Sequence, residues 1–261
     1  MVVDDRVVTE LERLVELAPL HMTPAIEALR DARARFPHVP HVAVFDTAFH
    51  ATIPQEAETY ALPARVRELG IRRYGFHGLS VQWATEQVRV DRLVVCHLGG
   101  GCSVTAVRDG KSVDTTMGFT PLEGVPMATR PGSVDPGALV YLLRHELSLD
   151  ELDALLEHES GLLGLSGISG DVKQLLASED PAAALAVRVF AYRVGGAVGS
   201  MAVALGGLDA LVFTAGIGEH AQPVRDAICA RLEFLRPFDV VVVEAREDVV
   251  AARAARAVLG R

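Results

Sequence analysis

Residues 93–116 decide the fold, and they read LVVCHLGGGCSVTAVRDGKSVDTT. An apolar run ends in three glycines, a second run follows at once, and Asp109-Gly110 separates the second run from a third. An Asp-Gly pair between two such runs is a strong signal for a tight hairpin. The stretch therefore predicts a strand, a glycine-rich bend, a second strand, a turn and a third strand.

The segments on either side predict further strands and many helices. Apolar spacing predicts helices over residues 7–18, 24–35, 63–69, 136–146, 150–158, 171–177, 181–204, 223–232 and 246–258. Pro19 is expected to end the first of these, Pro24 to lie in the first turn of the second, and Gly70 to close the third. Buried strands are predicted for HVAVFD (41–46), for LDALVFTAGIG (208–218), which ends in glycines, and for DVVVV (239–243). Strands that alternate with helices indicate an α/β fold, in which ligands bind at the carboxyl ends of strands.

The composition is that of a globular protein with an acidic balance. The 261 residues carry 25 Lys and Arg against 34 Asp and Glu, a formal charge of −9, which disfavours nucleic acids and anionic membranes as partners. The apolar stretch between Arg193 and Asp209 is interrupted by glycines, so we expect no membrane span. We also expect no signal peptide, and the three cysteines form no CxxC pair. These features predict a cytoplasmic protein.

Two glycine-rich segments, each behind an apolar strand, are candidate phosphate-binding loops. They are HLGGG (97–101) and AGIGE (215–219). Without side chains, the backbone N–H groups of such loops can approach phosphate oxygens closely. Neither segment matches a Walker A or dinucleotide-binding pattern, and a tight turn that needs positive φ is an equal alternative. Two such loops in one sheet favour a nucleotide, which needs contacts from both sides.

Asp46 and His77 are candidate catalytic side chains. Asp46 ends the predicted strand 41–46, where a carboxylate can hold Mg²⁺ or accept a proton, or can simply cap the turn with Thr47. His77 lies in RRYGFHG, and it could be a catalytic acid, a donor to a phosphoryl group or a buried polar residue.

Arg130 is a third candidate, within the irregular Pro/Gly-rich stretch PLEGVPMATRPGSVDPG. Long irregular loops inside compact domains are usually functional. The guanidinium offers a rigid fork for carboxylate or phosphoryl oxygens. An ordinary surface arginine, or one paired with Asp135 or Glu123, is the alternative.

Acidic residues near two helix starts have both a functional and a structural interpretation. Asp171 and Lys173 begin a predicted helix after SGISG, and Glu247 lies near the start of the last helix. Helix capping and the helix dipole account for such acids without any ligand.

Longer strings resemble the acetate kinase family along essentially the whole chain. They are VPHVAVFDTAFHATIPQEAETYALP (39–63), GIRRYGFHGLS (70–80), VDTTMGFTPLEG (113–124), SGLLGLSGISGDVKQLL (160–176) and FAYRVGGAVGSMAVALGGLDALVFTAGIGEH (190–220). The resemblance implies an RNase H-like, actin-like ATPase fold, with two domains and usually in a homodimer. It also implies reversible, Mg²⁺-dependent phosphoryl transfer from ATP to acetate, which yields ADP and acetyl phosphate.

The resemblance also implies roles for individual residues. Asp46 corresponds to the active-site carboxylate, His77 and Arg130 to groups that stabilise the transition state, and Glu247 to the Mg²⁺-associated glutamate. The phosphate-contacting loop matches His97, Leu98, Gly99, Gly100 and Gly101. The adenosine-contacting segments match Asp171, Val172, Lys173, Gly216, Ile217, Gly218, Glu219 and His220. Such a set suits phosphoryl transfer, in which an enzyme mainly positions the reactants and neutralises charge.

The chain also departs from the family pattern. Gly100 stands where the family usually has Asn, Lys173 where it has Arg, and His220 where it has Asn. The family's NxGSSSxK and HRVVHGG segments have no counterpart in the sequence. We therefore expect one complete RNase H-like domain with a remnant of the first domain. Residues 1–78 would form the remnant, 79–245 the nucleotide-binding domain and 246–261 a helix that packs back toward the first domain.

Three functions are compatible with these residues. The first is acetate kinase activity. The second is the same chemistry on propionate or another short-chain acyl group, because part of the acyl pocket is built by segments that have no counterpart here. The third is a catalytically silent nucleotide-binding or dimerising remnant of an acetate kinase.

Overall fold

One mixed sheet organises the computed structural model, which describes residues 1–13, 15 and 19–260. The strands are β1 (Arg92–Leu98), β2 (Cys102–Arg108), β3 (Lys111–Thr115), β4 (Ala210–Thr214) and β5 (Asp239–Val242). Their order across the sheet is β3-β2-β1-β4-β5. β1, β2 and β3 form an antiparallel meander, whereas β4 pairs parallel to β1 and β5 pairs parallel to β4. The predicted α/β class is confirmed.

Helices cover both faces of this sheet. The α-helices are α1 (Asp5–Glu12), α2 (Pro19–Arg35), α3 (Gln55–Glu58), α4 (Ala64–Arg67), α5 (Gly78–Gln87), α6 (Pro136–His145), α7 (Leu149–Ala154), α8 (Gly161–Ser166), α9 (Val172–Ala177), α10 (Pro181–Leu205), α11 (Ala215–His220), α12 (Gln222–Cys229) and α13 (Glu247–Val258). Short 3₁₀ turns occupy Ala48–Thr52 and Glu233–Leu235, and a π-helical turn occupies Leu155–Glu159. The predicted helices from residue 136 onward are confirmed to within a few residues.

The central hairpin follows the sequence prediction. Asp109 and Gly110 both have positive φ, at 49° and 78°, which is the conformation of a type I′ turn and suits the twist of the strands. The turn sets Arg108 opposite Lys111. The predicted bend, strand and hairpin of residues 93–116 are therefore confirmed.

The core lies on both sides of the sheet. Along β1, Val94 and Cys96 face α10, whereas Leu93 and Val95 face α5, on which the last helix, α13, packs. Burial on both faces explains why this strand reads as a continuous apolar run. Tight packing on both sides leaves the carboxyl edge of the sheet as the place where polar loops can gather.

The long helix α10 is apolar because it belongs to this core. By length and composition it is the one helix among the described residues that could cross a membrane. Phe190, Val194 and Val198 are fully buried, however, and the helix packs on β1 and β2. This packing accounts for the apolar residues on the buried face of the helix, whereas Val203 is 83% exposed.

The prediction of a buried strand at HVAVFD is wrong. Within residues 41–46, Val42 forms an isolated antiparallel bridge with Val2, and no residue of the segment is buried. Phe45 is 37% exposed. Residues 41–46 lie outside the five-stranded sheet, and their one bridge is to the first residues of the chain, so they lack the packing on both faces that buries a strand.

Two predicted helix boundaries also differ from the structure. The second helix begins at Pro19 rather than at Pro24, which lies inside it. Both prolines suit a first turn, so the sequence pattern alone did not separate them. The first helix ends at Glu12, and residues 14 and 16–18 of its predicted continuation lie outside the described residues.

Candidate active site

The two glycine-rich segments meet at one edge of the sheet. β1 and β4 pair in parallel with His97 opposite Thr214, so both chains leave the sheet side by side. A Cβ atom at Gly99 would lie 3.5 Å from the Cβ of Ala215. Carboxyl ends of neighbouring parallel strands are where α/β folds bind ligands, and the structure brings both candidate loops to that place.

Residues 99–101 form the tight turn between the antiparallel strands β1 and β2, with Leu98 opposite Cys102. None of Gly99, Gly100, Gly101, Gly216 or Gly218 has positive φ, so that conformation does not account for these glycines. Residues 215–220 form a helix, α11, rather than a loop. The unusual backbone belongs instead to Ala215, whose φ is +66°.

A cavity of about 860 Å³ opens beside these segments. The backbones at Gly100, Ala128 and Gly170 pack against one another in the wall of this cavity. The amide of Ala128 donates to the carbonyl of Gly100 over 3.2 Å, and a Cβ at Gly170 would lie 2.7 Å from the carbonyl oxygen of Ala128. The lining residues are Gly99, Gly100, Ala128, Gly170, Asp171, Val172, Lys173, Leu176, Gly216, Ile217, His220, Ala221 and Pro223. The cavity is large enough for a small-molecule ligand.

Most of the residues predicted to contact a nucleotide line this cavity, and some do not. Those in the lining are Gly99, Gly100, Asp171, Val172, Lys173, Gly216, Ile217 and His220. Leu98 and Gly218 are buried in the protein, and the Glu219 carboxylate accepts from the amide of Ala215 and does not line the cavity. His97 and Gly101 lie next to the catalytic candidates instead. Asp171 also caps α9, because its carboxylate accepts from the amide of Lys173 over 2.9 Å.

Asp46 fixes the backbone around His77. Its Oδ2 accepts from the amide of His77 over 2.5 Å, and its Oδ1 accepts from the amide of Leu79 over 3.2 Å. The carboxylate therefore caps the first turn of α5 rather than a turn with Thr47. Gly78 is needed here, since a Cβ would lie only 2.1 Å from the carbonyl oxygen of Asp46.

His77 and His97 stack on each other. Their ring centroids are 4.0 Å apart with planes 20° from parallel. His77 Nδ1 lies 3.0 Å from Ser103 Oγ, and His97 Nδ1 lies 2.8 Å from Ser80 Oγ. Burial lowers the pKa of His97 well below its usual range, and the neighbouring His77 lowers it further, against the opposing effect of Asp46. His97 is therefore a neutral ring that supports His77.

Arg130 is held inside the protein, so the interpretation as a surface arginine is wrong. Its exposed fraction is 5%, and its Nη1 donates to the carbonyl of Pro121 over 3.0 Å. Asp135 caps α6 and Glu123 pairs with Arg73, so the two proposed partners are engaged elsewhere. Burial lowers the pKa of Arg130 below its usual value.

Arg130 and His77 converge on Gly101. A Cβ at Gly101 would lie 2.8 Å from Arg130 Nη2 and 3.1 Å from His77 Nε2. Since Asp46 holds His77, the structure brings Asp46, His77 and Arg130 together beside the glycine-rich loop. Donors from two side chains thus point to one place next to the cavity, an arrangement that suits an anionic group.

Glu247 lies close enough to Asp46 for the two carboxylates to interact. Burial raises the pKa of Glu247, and the negative charge of Asp46 raises it further. Two neighbouring carboxylates offer hard oxygen ligands of the kind that Mg²⁺ prefers. Among the described residues there is no cluster of three or more metal-ligating side chains, so any metal would also need oxygens from a substrate or from water.

Glu219 ties α11 to the segment before α13. Its Oε1 accepts from the amide of Ala215 over 2.8 Å and from the amide of Ala245 over 3.0 Å. The first bond fixes the left-handed backbone of Ala215. Glu219 is thus the link between the cavity wall and the chain that leads to Glu247.

Sequence reasoning missed several residues that support this site. Ser80 and Ser103 orient the two histidines, and His50 lies with Nε2 2.9 Å from the carbonyl oxygen of Phe76, where burial lowers its pKa. Glu157 is buried in the π-helical turn, a rare element that often marks functional sites. Serines carry no spacing signal of their own, whereas His50 stands in the quoted string around Asp46 and could have been considered.

The dependence of the unfolding free energy on pH should show whether His97 is neutral in the folded protein. A folded pKa below the unfolded pKa means that the unfolded chain binds the proton first, so the unfolding free energy falls as pH drops below about 6.5, by up to about 1.4 kcal/mol per pH unit. We expect the unfolding free energy of His97→Asn, measured by urea titration, to change less between pH 7 and pH 5 than that of the wild type. His38→Asn, at an exposed histidine, should show the same change as the wild type. Identical slopes for the wild type and His97→Asn would contradict a neutral His97.

Comparison with known proteins identifies the relatives of this chain. A sequence profile of the acetokinase family matches residues 1–256. An acetate kinase of Synechococcus sp. is 43% identical, over 95% of this chain and 70% of that protein. An acetate kinase of Rhodopseudomonas palustris is 46% identical, over 89% of this chain and 61% of that protein. This chain therefore spans 70% and 61% of the lengths of these relatives.

Solved structures give the same result for the fold. A propionate kinase from Francisella tularensis superposes with a TM-score of 0.91 at 37% identity, over 97% of this chain and 73% of that one. The acetate kinase of Porphyromonas gingivalis gives 0.89 at 33% identity, over 99% and 74%. These matches confirm the predicted actin-like ATPase fold. The chain belongs to the acetokinase family.

Proposed function

We propose that this chain catalyses reversible, Mg²⁺-dependent phosphoryl transfer from ATP to acetate. The observation that carries the proposal is the convergence of Arg130 and His77 on Gly101, next to a cavity lined by the glycine-rich segments. In this reaction the bond from the γ-phosphorus to its bridging oxygen breaks and a bond from an acetate oxygen to phosphorus forms. ADP and acetyl phosphate are the products.

The side chains suit the charge that develops during such a transfer. Arg130 presents a planar cation to the equatorial phosphoryl oxygens and to the acetate carboxylate, and His77 donates a hydrogen bond to the same group. Asp46 keeps the His77 backbone in place. The cavity takes the adenosine, with Asp171, Lys173 and Gly216 in its wall. Fixed donors in a buried site lower the barrier without reorganisation.

Asp46 and Glu247 are the residues that would hold Mg²⁺. Burial and then the negative charge of Asp46 raise the pKa of Glu247, and a divalent cation would relieve both the desolvation of the carboxylate and the repulsion. Mg²⁺ typically binds through one or two carboxylates together with substrate phosphates and water. Bound there, the ion would neutralise charge on the phosphates.

Propionate is the second candidate substrate. The solved propionate kinase of Francisella tularensis superposes on this chain with a TM-score of 0.91. Acetate and propionate differ by one methylene, which is worth about 1–3 kcal/mol of discrimination in an apolar pocket. Comparison of kcat/KM for the two acids decides between them.

Further properties follow from the same proposal. We expect ATP and ADP, acetate and acetyl phosphate as ligands, a cytoplasmic location and a homodimer. The domain division also stays a proposal: 1–78, 79–245 and 246–261. The observed contact of α13 is with α5, where Arg253 Nη1 lies 2.8 Å from Glu86 Oε2, and nearly all of α5 belongs to the second of these segments.

The activity is tested directly by trapping the product with hydroxylamine after incubation with ATP, Mg²⁺ and acetate. Arg130→Ala should lower kcat by about 100- to 1,000-fold, because a charged donor to the transition state is lost. The Kd for ATP, measured by calorimetry, should change little. Arg6→Ala, at a surface arginine paired with Glu10, serves as the control.

Two outcomes would change the interpretation. Saturable ATP binding without any product would favour the catalytically silent form. Equal losses in kcat and in ATP affinity for Arg130→Ala would contradict a role in the transition state.

Adjacent glycines provide a second test of the site. Gly101→Ala places a methyl group 2.8 Å from Arg130 Nη2 and 3.1 Å from His77 Nε2, so both donors must shift. We expect kcat to fall by about tenfold or more, since small misplacements near the reacting atoms are costly. Gly100→Ala has no atom within 4 Å of the new methyl and should retain the kcat of the wild type, with any effect confined to the KM for ATP because Gly100 lines the cavity. Equal activities of the two variants would count against convergence at Gly101.

The homodimer is supported by exposed apolar side chains on two helices. Tyr192 and Val203 of α10 are 64% and 83% exposed, and α6 has no buried residue although its sequence is PGALVYLLRH. Light scattering should therefore give about twice the chain mass of 27.9 kDa. Val203→Glu should shift the protein to the monomer, whereas Leu69→Glu, at a loop residue 76% exposed, should not. A monomeric wild type would rule out this interface.

A further inference from the structure

A cluster of three polar side chains lies beside the site without belonging to it. The Glu123 cluster consists of Tyr60, Arg73 and Glu123. Arg73 Nη2 donates to Glu123 Oε1 over 3.0 Å, and the Tyr60 hydroxyl donates to Glu123 Oε2. The Arg73 side chain is 16% exposed and that of Glu123 34%. This ion pair is shielded enough to contribute more than an exposed one.

The cluster holds the backbone that follows β3. Arg73 Nη1 lies 2.9, 3.0 and 3.1 Å from the carbonyl oxygens of Thr115, Thr116 and Met117, to which it donates. The amide of Phe119 donates to the Tyr60 oxygen over 3.0 Å. A planar guanidinium with five donors is suited to binding several carbonyls and a carboxylate at once.

The packing at Gly118 shows how closely the cluster and this backbone approach. A Cβ there would lie 1.7 Å from Glu123 Oε2 and 2.0 Å from the Tyr60 oxygen. No residue other than glycine fits at this distance. The segment from Met117 to Glu123 is therefore fixed at both ends by the same carboxylate and its two partners.

Arg130 depends on this segment for one of its hydrogen bonds. The acceptor of its Nη1 is the carbonyl of Pro121, at 3.0 Å. Pro121 lies between Phe119 and Glu123, both of which belong to the anchored backbone. The position of that carbonyl is thus set by the Glu123 cluster.

The same segment also fixes the chain that leads to His77. The carbonyl of Gly118 accepts from the amide of Tyr74 over 3.0 Å and from that of Gly75 over 3.4 Å. A Cβ at Gly75 would lie 2.7 Å from the His50 ring and from Thr115 Cγ2. His77 follows two residues later, so the backbone before it has little freedom.

We propose that Glu123 is a positioning residue of this active site. It holds the carbonyls of Pro121 and Gly118, and through them it sets where Arg130 and His77 point, without touching the reacting atoms. The inference rests on the proposed phosphoryl transfer for its effect on rate. Misplacement of a positioned group by about 1 Å can cost about 100-fold in rate.

The protonation state of Tyr60 is compatible with this role. Burial raises the pKa of Tyr60 to about 12, and the hydrogen bond to Glu123 adds to the effect. The hydroxyl therefore stays protonated near neutral pH, where it can donate to Glu123 Oε2.

Glu123→Gln is the direct test, because it keeps the shape and removes the charge. We expect kcat to fall by about 10- to 100-fold, with the KM for ATP changed less than about threefold because the adenosine cavity is not touched. Glu58→Gln is the matched control: it removes the neighbouring ion pair of Glu58 with Arg72, 2.5 Å apart. An unchanged kcat in Glu123→Gln, or an equal loss in Glu58→Gln, overturns the proposal.

Combination with an Arg130 variant separates positioning from general damage. If Glu123 acts through Arg130, then Glu123→Gln should lower kcat much less in an Arg130→Lys background than in the wild type. The same fold loss in both backgrounds overturns the proposal. If Glu123→Gln does not fold, Tyr60→Phe takes its place, with Tyr74→Phe, whose hydroxyl donates to Gly70, as its control.

Hydrogen exchange provides a readout that needs no activity. Peptides that cover residues 117–124 and 128–132 should exchange faster in Glu123→Gln than in the wild type or Glu58→Gln. A wild type that binds ATP and forms no acetyl phosphate would contradict the proposed function. The exchange rates would still show whether Glu123 holds residues 117–124 and 128–132 in place. Unchanged exchange in both segments overturns the proposal.

Discussion

The parallel pairing of β1 with β4 is the constraint on which the site depends. It sets His97 opposite Thr214, so the chain leaves the sheet twice at the same edge and on neighbouring strands. The first exit forms the glycine-rich loop 97–101, and the second forms the first turn of α11. Both faces of the sheet are covered by helices, which leaves this edge as the open place where a ligand can meet backbone amides.

Burial gives the polar side chains at this edge their fixed geometry. A buried imidazole or guanidinium must be hydrogen-bonded, since an unsatisfied buried polar group costs about 1–3 kcal/mol. Ser80 and the carbonyl of Pro121 fulfil this need for His97 and Arg130. The partners that stabilise these groups also prevent other rotamers. The site is thus organised before any ligand arrives, which is what charge stabilisation in a transition state requires.

The sequence predicted the regular elements well and the site contacts only in part. The Asp109-Gly110 hairpin and the helices after residue 136 rest on local signals, and the structure has them. HVAVFD was misjudged because burial of a strand depends on its neighbours in the sheet. The convergence of Arg130 and His77 could not be predicted from spacing, since they are 53 positions apart in the sequence and meet at Gly101. Glu123 stood in a quoted string, yet only its contacts with Tyr60 and Arg73 show what it holds.

The carboxylate of Glu219 has a mechanical consequence for the two ends of the site. One of its oxygens accepts from Ala215, the residue before the cavity-lining Gly216, and from Ala245, two residues before Glu247. Hydrogen bonds to a charged group contribute about 1.5–3 kcal/mol each, so neither segment can shift alone without losing one. Glu219 thereby couples the first turn of α11 to the segment before α13, and a substitution that removes its carboxylate would release both at once.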